Sequence, residues 1–253
     1  MISVVLLGAG NVATHLYKAF STSGDVNIKQ WYNRHLKTID HYKNDVSVTD
    51  DLSQLMAADV YILAVSDDAI ETLSEHLPFE NRLVVHTSGS TSLYAVDKKQ
   101  KRGVFYPLQT FSKDAAVDFT KIPLCIETLQ KEDLSTLKAL AKAIGSKSHK
   151  VNSDQRQGLH LAAVFVNNFT NQLYRLAHEI TEANGAEFDI LKPLIQETAK
   201  KIETLSPYMA QTGPALRDDK KTIKRHLKQL ESEHHKAVYE LLTKSIQKTH
   251  GRR

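Results

Sequence analysis

The sequence has a single cysteine and no long apolar run. Cys125 cannot form an internal disulfide, which is typical of a protein from a reducing compartment, so we expect a cytoplasmic location. It lies in the apolar segment 122–126, where a buried, inert thiol is the expected role. The apolar runs are far shorter than the roughly 18 residues that cross a bilayer. The first strand-like segment begins at residue 2 without a basic leader, so we expect neither a signal peptide nor membrane association.

Charge is also nearly balanced, with a formal net charge of +4 over 253 residues. The surplus is at the C-terminal end, where residues 217–253 contain eleven Lys and Arg against five Asp and Glu. Tyr239 is the single aromatic residue of that stretch. Nucleic-acid binding would need basic residues interleaved with aromatics, so the pattern indicates a solvated helix face and no nucleic-acid partner.

A dinucleotide fingerprint is present at the start of the chain. The apolar strand Ile2–Leu7 leads into Gly8-Ala9-Gly10-Asn11-Val12-Ala13 and then a helix, which is the G-x-G-x-x-A pattern in its expected context. Gly8 would permit the tight turn, and Gly10 would let the backbone approach a pyrophosphate. Because the first N–H groups of a helix are unpaired, the phosphates would sit at Asn11 and Val12.

The residues after the second strand favour NADP over NAD. Segment 26–32 reads as that strand and ends at Asn33-Arg34, where an NAD enzyme usually places an acid for the ribose 2′-hydroxyl. Arg34, with His35 and Lys37 behind it, can instead neutralise a 2′-phosphate. An ordinary exposed basic loop is the alternative reading of these residues.

Strand-like and helical patterns alternate up to about residue 150 and then give way to helices. Strands are predicted at 60–65, 82–86, 103–108, 122–127 and 147–149, with helices at 67–77 and 132–144. A single long amphipathic helix is predicted over 154–182, closed by Asn184-Gly185, with further helices at 188–205 and 215–248. We therefore predict an α/β fold: a Rossmann-type doubly wound parallel sheet (1–150), then an all-helical domain (151–253).

Ligands of open parallel sheets lie beyond the carboxyl ends of the strands, so the residues after each strand are candidates. The candidates for the cofactor are Ala64, Val65, Ser66, Thr87 and Ser88. The run His86-Thr87-Ser88-Gly89-Ser90 can bind a nicotinamide ribose or a substrate oxygen, or it can simply cap a helix. His86 is a substrate-binding candidate, with a core histidine as the alternative. Segment 106–111 is a further candidate without an assigned role.

The long helix contains a second polar group. At about 100° per residue, His160, Asn167 and Asn171 fall on one line, with Asn168 beside them. An ordinary solvated face is one explanation, but segment 157–174 has no charged residue, which suits a helix lying under a second domain. His160 is the group able to move a proton near neutral pH, and the amides can orient a carbonyl.

Arg217, in Thr212-Gly213-Pro214-Ala215-Leu216-Arg217-Asp218, is a further candidate. Its guanidinium can donate paired hydrogen bonds to an anionic substrate. The alternative is an ordinary helix of which Pro214 is the first residue. The histidines show no clustered spacing with carboxylates, so no metal site is expected.

With these motifs the chain resembles a bacterial group of NADP-binding Rossmann-like proteins with a helical C-terminal domain. It is more distantly similar to pyrroline-5-carboxylate reductases, deazaflavin-dependent NADP reductases and β-hydroxyacid dehydrogenases. The resemblance covers essentially the full length and rests on segments 8–13, 33–34, 86–90, 105–111, 160–168 and 212–218.

The resemblance implies a fold, NADP as cofactor and a homodimer formed through the helical domain. In β-hydroxyacid dehydrogenases a helix here carries a catalytic lysine one turn before an asparagine. Aligning that asparagine with Asn168 puts Val164 at the lysine position. Two functions follow as hypotheses: an NADP(H)-dependent oxidoreductase with catalytic His160 and Asn168, acting on a small carbonyl or imine between the domains, or a non-catalytic NADP-binding sensor.

Overall fold

The structure is a computed structural model that describes residues 1–113 and 115–251. The chain divides into two compact units, Met1–Asn167 and a second that begins at Asn168. This division falls later than the predicted boundary near 149–154, because the segment after residue 150 is bonded to strands and loops of the first unit. Of the helices in the described part of the chain, none is long and apolar enough to cross a membrane.

The first unit is built on an eight-stranded sheet in the order β3-β2-β1-β4-β5-β6-β7-β8. The strands are β1 (Ile2–Leu7), β2 (Val26–Tyr32), β3 (Ser47–Thr49), β4 (Val60–Leu63), β5 (Leu83–His86), β6 (Lys101–Pro107), β7 (Leu124–Thr128) and β8 (Ser148–Lys150). All neighbouring strands are parallel except β6 and β7, which pair antiparallel with Tyr106 opposite Cys125. The predicted Rossmann-type fold is confirmed.

The expectation of a parallel sheet throughout needs one correction, at β7. A parallel neighbour requires a crossover, usually a helix, to return the chain to the same end of the sheet. Between β6 and β7 the described residues form only a short 3₁₀ turn, Phe119–Lys121. The chain therefore turns back at the carboxyl end of β6, and β7 runs in the opposite direction.

Both faces of the sheet are covered. Val4 and Leu6 of β1 belong to one buried cluster, and the alternate residues Val5 and Leu7 belong to the other. Because side chains alternate across a strand, a strand buried on both faces must be apolar at every position, and β1 is nearly so. The helices of this unit are α1 (Asn11–Ser21), α2 (Ile70–Glu75), α3 (Leu134–Ala143) and α4 (Ser153–Ala163).

The predicted single long helix is interrupted by a turn of π-helix. After α4, residues Val164–Phe169 are π-helical, and α5 (Thr170–Ala183) follows. A π-turn adds a residue to the turn, so the rotation of 100° per residue does not hold across it. The expectation that His160, Asn167 and Asn171 form one line depends on that rotation and fails for this physical reason.

The second unit is helical, as predicted. It contains α5, α6 (Lys192–Lys201), α7 (Pro207–Ala210), α8 (Lys220–Gln229) and α9 (Glu233–His250). Gly185, which follows α5, has φ +67°, the left-handed conformation that its helix-closing role predicted. Several large apolar side chains of this unit are exposed, among them Ile190 (72%), Met209 (68%) and Leu241 (68%).

Candidate functional site

A cavity of about 910 Å³ lies along the carboxyl ends of β1, β2, β4, β5 and β6, entirely within the first unit. Of the residues predicted to act on cofactor or substrate, it is lined by Gly8, Gly10, Asn11, Val12, Asn33, Arg34, Ala64, Val65, Ser66, Thr87, Ser88 and His160. The complete predicted cofactor set therefore surrounds one cavity, which has His160 in its wall.

The glycine turn after β1 explains why the fingerprint needs each glycine. Gly8 has φ +111°, and a Cβ there would lie 2.2 Å from the carbonyl oxygen of Ala64. Its own carbonyl accepts a 2.6 Å hydrogen bond from the indole N–H of Trp31. Gly10 is the N-cap of α1, and a Cβ on it would meet nothing within 4 Å. Gly8 is thus required by the fold. The open side of Gly10 leaves a space beside the backbone, here called the glycine cradle, where a phosphate group can approach.

The start of α1 suits an anion. Its first turn contains no acidic side chain, so nothing opposes the positive end of the helix dipole. The Asn11 side chain donates to the carbonyl of Phe111 at 2.8 Å, which fastens the loop after β6 beside this helix end. The loop and the glycine turn together line the middle of the cavity.

At one end of the cavity, Arg34 has the position expected for a 2′-phosphate contact. It is exposed and makes no ion pair with the residues that the structure describes. The neighbouring Asn33 side chain donates to the carbonyl of His35 at 3.0 Å, which holds this short turn in shape. Apolar Leu52, Ala69 and Leu73 line the same cavity. The residues present therefore fit an NADP molecule: a glycine cradle, an unpaired guanidinium and an apolar wall.

The loop after β5 is organised by its own hydroxyl groups. The Ser88 hydroxyl accepts from the backbone N–H groups of Ser90 and Thr91 at 3.2 and 2.9 Å. The Ser90 hydroxyl donates to Asp67, a carboxylate that lines the cavity. The side chain of Ser88 thus shapes the loop, and the loop presents its backbone to the cavity.

His86 is a core histidine. It is 0% exposed; its Nδ1 accepts from the N–H of Ser88 at 3.2 Å, and its Nε2 lies 3.3 Å from the carbonyl of Ser92. With both ring nitrogens used by the loop backbone, no ring atom remains for a substrate. The geometry therefore favours the core-histidine alternative over the substrate-binding one. Burial lowers the pKa of His86 to about 4, and the nearby Arg156 charge acts in the same direction.

This pKa predicts an acid-sensitive stability. In the unfolded chain His86 takes up a proton near its ordinary pKa of 6.5, whereas in the folded chain its pKa is about 4. Because the unfolded state binds more protons between these values, stability falls as pH falls from 6.5 to 4. Lowering the pH from 7 to 4 should cost the wild type about 3 kcal/mol of unfolding free energy through protonation of His86. His86→Gln should lack this loss. Denaturant melts at both pH values measure this, with exposed His149→Gln as the control. Equal pH dependence of wild type and His86→Gln would contradict it.

At the other end of the cavity, His160 is paired with Tyr106. The Tyr106 hydroxyl lies 3.1 Å from Nδ1 of His160, and the two rings meet edge to face. A Cβ on Gly89 would lie 2.6 Å from that Nδ1 and 2.7 Å from Cζ of Tyr106, so a side chain at this position would have to displace one of the two rings. Burial raises the pKa of Tyr106 to about 12, which keeps its hydroxyl protonated at neutral pH. The sequence pattern includes Tyr106 in the candidate segment 106–111 but gives it no role, because Tyr106 and His160 are 54 positions apart.

The remaining predicted residues lie elsewhere. Asn167 and Asn168 are in the π-helical turn and Asn171 is at the start of α5; all three are exposed, and none lines the cavity. Arg217 lines a different cavity, within the second unit, together with Lys224 and Lys244. Their predicted roles at catalysis and substrate binding stay predictions.

Comparison with known proteins gives two family matches. Residues 3–89 match the family described as NADP oxidoreductase coenzyme F420-dependent, and residues 122–246 match a domain of unknown function, DUF2520. No protein with a curated description matches the sequence.

Solved structures of similar fold cover the full chain. A "putative NADP oxidoreductase" of Bacteroides fragilis is 40% identical, covers 98% of each chain and has a TM-score of 0.86. An imine reductase of Myxococcus stipitatus in complex with NADP⁺ is 18% identical, covers 98% of this chain and 96% of its own, and has a TM-score of 0.70. A pyrroline-5-carboxylate reductase of Streptococcus pyogenes is 13% identical over 99% of each chain, with a TM-score of 0.65.

The latter two likenesses show the fold alone, whereas the first shows the family. The predicted resemblance is confirmed, and so is NADP as the cofactor, which the description of the matching family and that of the 40% identical relative both name. The chain therefore belongs to the same family as the Bacteroides fragilis protein described as a "putative NADP oxidoreductase", and its own NADP oxidoreductase match precedes its DUF2520 match.

Proposed function

We propose that this protein is an NADP(H)-dependent oxidoreductase that reduces a small carbonyl or imine at the His160 end of the cavity. The observation that carries the proposal is that the Tyr106–His160 pair and the complete cofactor set line one cavity. Bound NADPH supplies the hydride. The protein's own part is to hold the two reactants together and to supply a proton.

His160 has the chemistry for that proton. Reduction of C=O or C=N leaves an oxygen or nitrogen that must be protonated, and a positioned imidazole is a suitable acid near neutral pH. In its protonated form His160 donates Nδ1–H to the Tyr106 oxygen and keeps Nε2–H for the substrate. After that proton leaves, the neutral ring retains its bond to Tyr106, because a hydroxyl both donates and accepts. Tyr106 thus fixes the ring in both states.

A substrate panel tests the proposal. Purified protein with NADPH is offered aldehydes, ketones and cyclic imines of small size, and the loss of reduced cofactor is followed by absorbance. We expect turnover with one of these classes and none after His160→Gln. Tight NADPH binding with no turnover across the panel would instead support the non-catalytic sensor.

Cofactor selectivity provides a second test, at Arg34. A charge-assisted hydrogen bond contributes roughly 1.5–3 kcal/mol, so we expect NADPH to bind about tenfold or more tightly than NADH. Arg34→Ala should remove most of that difference and leave the NADH affinity nearly unchanged, as measured by calorimetry. Lys37→Ala is the matched control, because Lys37 is an exposed cation of the same loop that does not line the cavity. Equal affinities in the wild type would refute the contact.

We also propose that two copies associate through the helices of the second unit. Met209 and Leu241 are 68% exposed there, and a twofold partner is the commonest means of burying such side chains. Light scattering at micromolar concentration should give the mass of two chains. Met209→Glu should weaken association, whereas Met56→Glu, at a 43% exposed methionine of the first unit, should not. A folded wild-type monomer would refute the proposal.

A further inference from the structure

Behind the candidate site lies a cation that the proposed chemistry does not use. Arg156 is in α4, one helical turn before His160, and its side chain is 0% exposed. Burying a guanidinium is costly unless its charge is paired and its N–H groups are bonded. An arginine without partners would therefore be unfavourable in the core. The partners of Arg156 indicate what the residue does.

The partner of the charge is Glu127 at the end of β7. Arg156 Nη1 donates to Oε2 of Glu127. The same carboxylate accepts 3.0 Å hydrogen bonds from the backbone N–H and the hydroxyl of Ser153, at the start of α4. Glu127 therefore fixes the first turn of α4 against the sheet as well as neutralising Arg156.

The other end of the guanidinium holds the loop after β5. Arg156 Nη2 donates to the carbonyl of Thr91 at 2.5 Å, and the adjacent Gln157 side chain donates to the carbonyl of Ser90 at 2.9 Å. The hydroxyl of Ser153 accepts from the N–H of Leu93 at 3.1 Å. Three positions in and just after the loop are thus hydrogen-bonded to the first residues of α4.

The loop that is held by α4 borders the candidate site at Gly89. That residue belongs to the same loop, and the position of its missing Cβ is 2.6 Å from His160 Nδ1. The Gly89 backbone therefore lies directly beside the imidazole ring, and a shift of the loop away from α4 would remove the wall that confines this ring. The relative placement of the loop and α4 therefore decides whether His160 reaches the Tyr106 hydroxyl.

We propose that Arg156 is a positioning residue: with Glu127 it holds the 88–92 loop against α4 and so keeps His160 bonded to Tyr106. Its consequence for turnover rests on the proposed function, but its consequence for the His160 ring does not.

The test is the nitrogen NMR spectrum of the His160 imidazole, recorded over a pH range on the full chain without cofactor. His160→Gln assigns the signals, and Tyr106→Phe gives the spectrum of a ring that has lost its partner. We expect Arg156→Met to move the His160 signals to the positions that they have in Tyr106→Phe. Arg156→Lys, which keeps the charge, should restore them in part.

Control variants distinguish the positioning role of Arg156 from a general contribution to stability. Arg175→Met removes an exposed Arg–Glu pair on α5 and should leave the His160 signals unchanged. If Arg156→Met does not fold, Glu127→Gln, which keeps an acceptor and removes the charge, replaces it. NADPH should still bind to the folded variants, because the glycine turn and Arg34 do not contact Arg156.

A folded Arg156→Met or Glu127→Gln with wild-type His160 signals would overturn the proposal, even if its melting temperature had fallen. Displaced His160 signals in a protein that shows no NADPH turnover would support the positioning role while refuting the proposed function. The two outcomes are therefore distinguishable. Where the panel supplies a substrate, kcat should fall at least tenfold in Arg156→Met.

Discussion

Gly8→Ala should weaken NADPH binding at least a hundredfold and destabilise the first unit. The added Cβ would lie 2.2 Å from the carbonyl oxygen and 2.7 Å from the carbonyl carbon of Ala64, both backbone atoms that no rotamer change can move. The φ of +111° adds backbone strain for any L side chain. Strain and overpacking together should cost about 3 kcal/mol of unfolding free energy. We expect the dissociation constant of NADPH to rise at least a hundredfold, as measured by calorimetry and denaturant melts.

Gly10→Ala separates binding from folding. Its Cβ meets no atom within 4 Å, so unfolding free energy should change by no more than about 0.5 kcal/mol. A methyl group in the cradle would nevertheless stand where a pyrophosphate approaches the backbone, and NADPH affinity should fall at least tenfold. Gly24→Ala, equally unobstructed but remote from the cavity, should change neither quantity. Unchanged NADPH affinity in Gly10→Ala would show that phosphates do not bind at this turn.

The second large effect is expected at the Tyr106–His160 pair. A positioned general acid typically accelerates a step by 10²–10⁴, so His160→Gln should lower kcat by about that factor with the substrate that the panel supplies. NADPH affinity should remain within about twofold, because the glycine turn and Arg34 hold the phosphates independently of His160. Steady-state kinetics and calorimetry on the same preparation measure both quantities.

Tyr106→Phe tests the hydroxyl alone, since the ring that packs against Gly89 is retained. We expect a smaller loss of kcat and a shifted pH–rate profile, because the His160 ring loses the partner that fixes it. Tyr94→Phe, at a 65% exposed tyrosine, is the matched control. Full activity of His160→Gln would remove the proton donor from the proposed function and favour a donor elsewhere in the cavity.

Local patterns were sufficient to predict which residues line the cofactor half of the cavity. The strand, glycine turn and helix of residues 2–21 are consecutive, and their roles depend on contacts within or beside that segment. Arg34 follows the next strand, whose carboxyl end must meet the first in any parallel sheet. For this reason the predicted cofactor residues all line one cavity.

The sequence by itself thus determined the Rossmann-type fold, the helical C-terminal part and the cofactor, because each rests on short-range periodicity or on the shared edge of parallel strands. Only the tertiary structure decided the rest. The reversal of β7 depends on which strand it pairs with, and the π-turn after α4 changes the rotation on which the His160–Asn171 line depended. His86 entered the core because the loop backbone uses both of its ring nitrogens. Tyr106 met His160 across 54 residues because the ion pair of the buried Arg156 with Glu127 joins a loop, a strand and a helix that are distant in sequence.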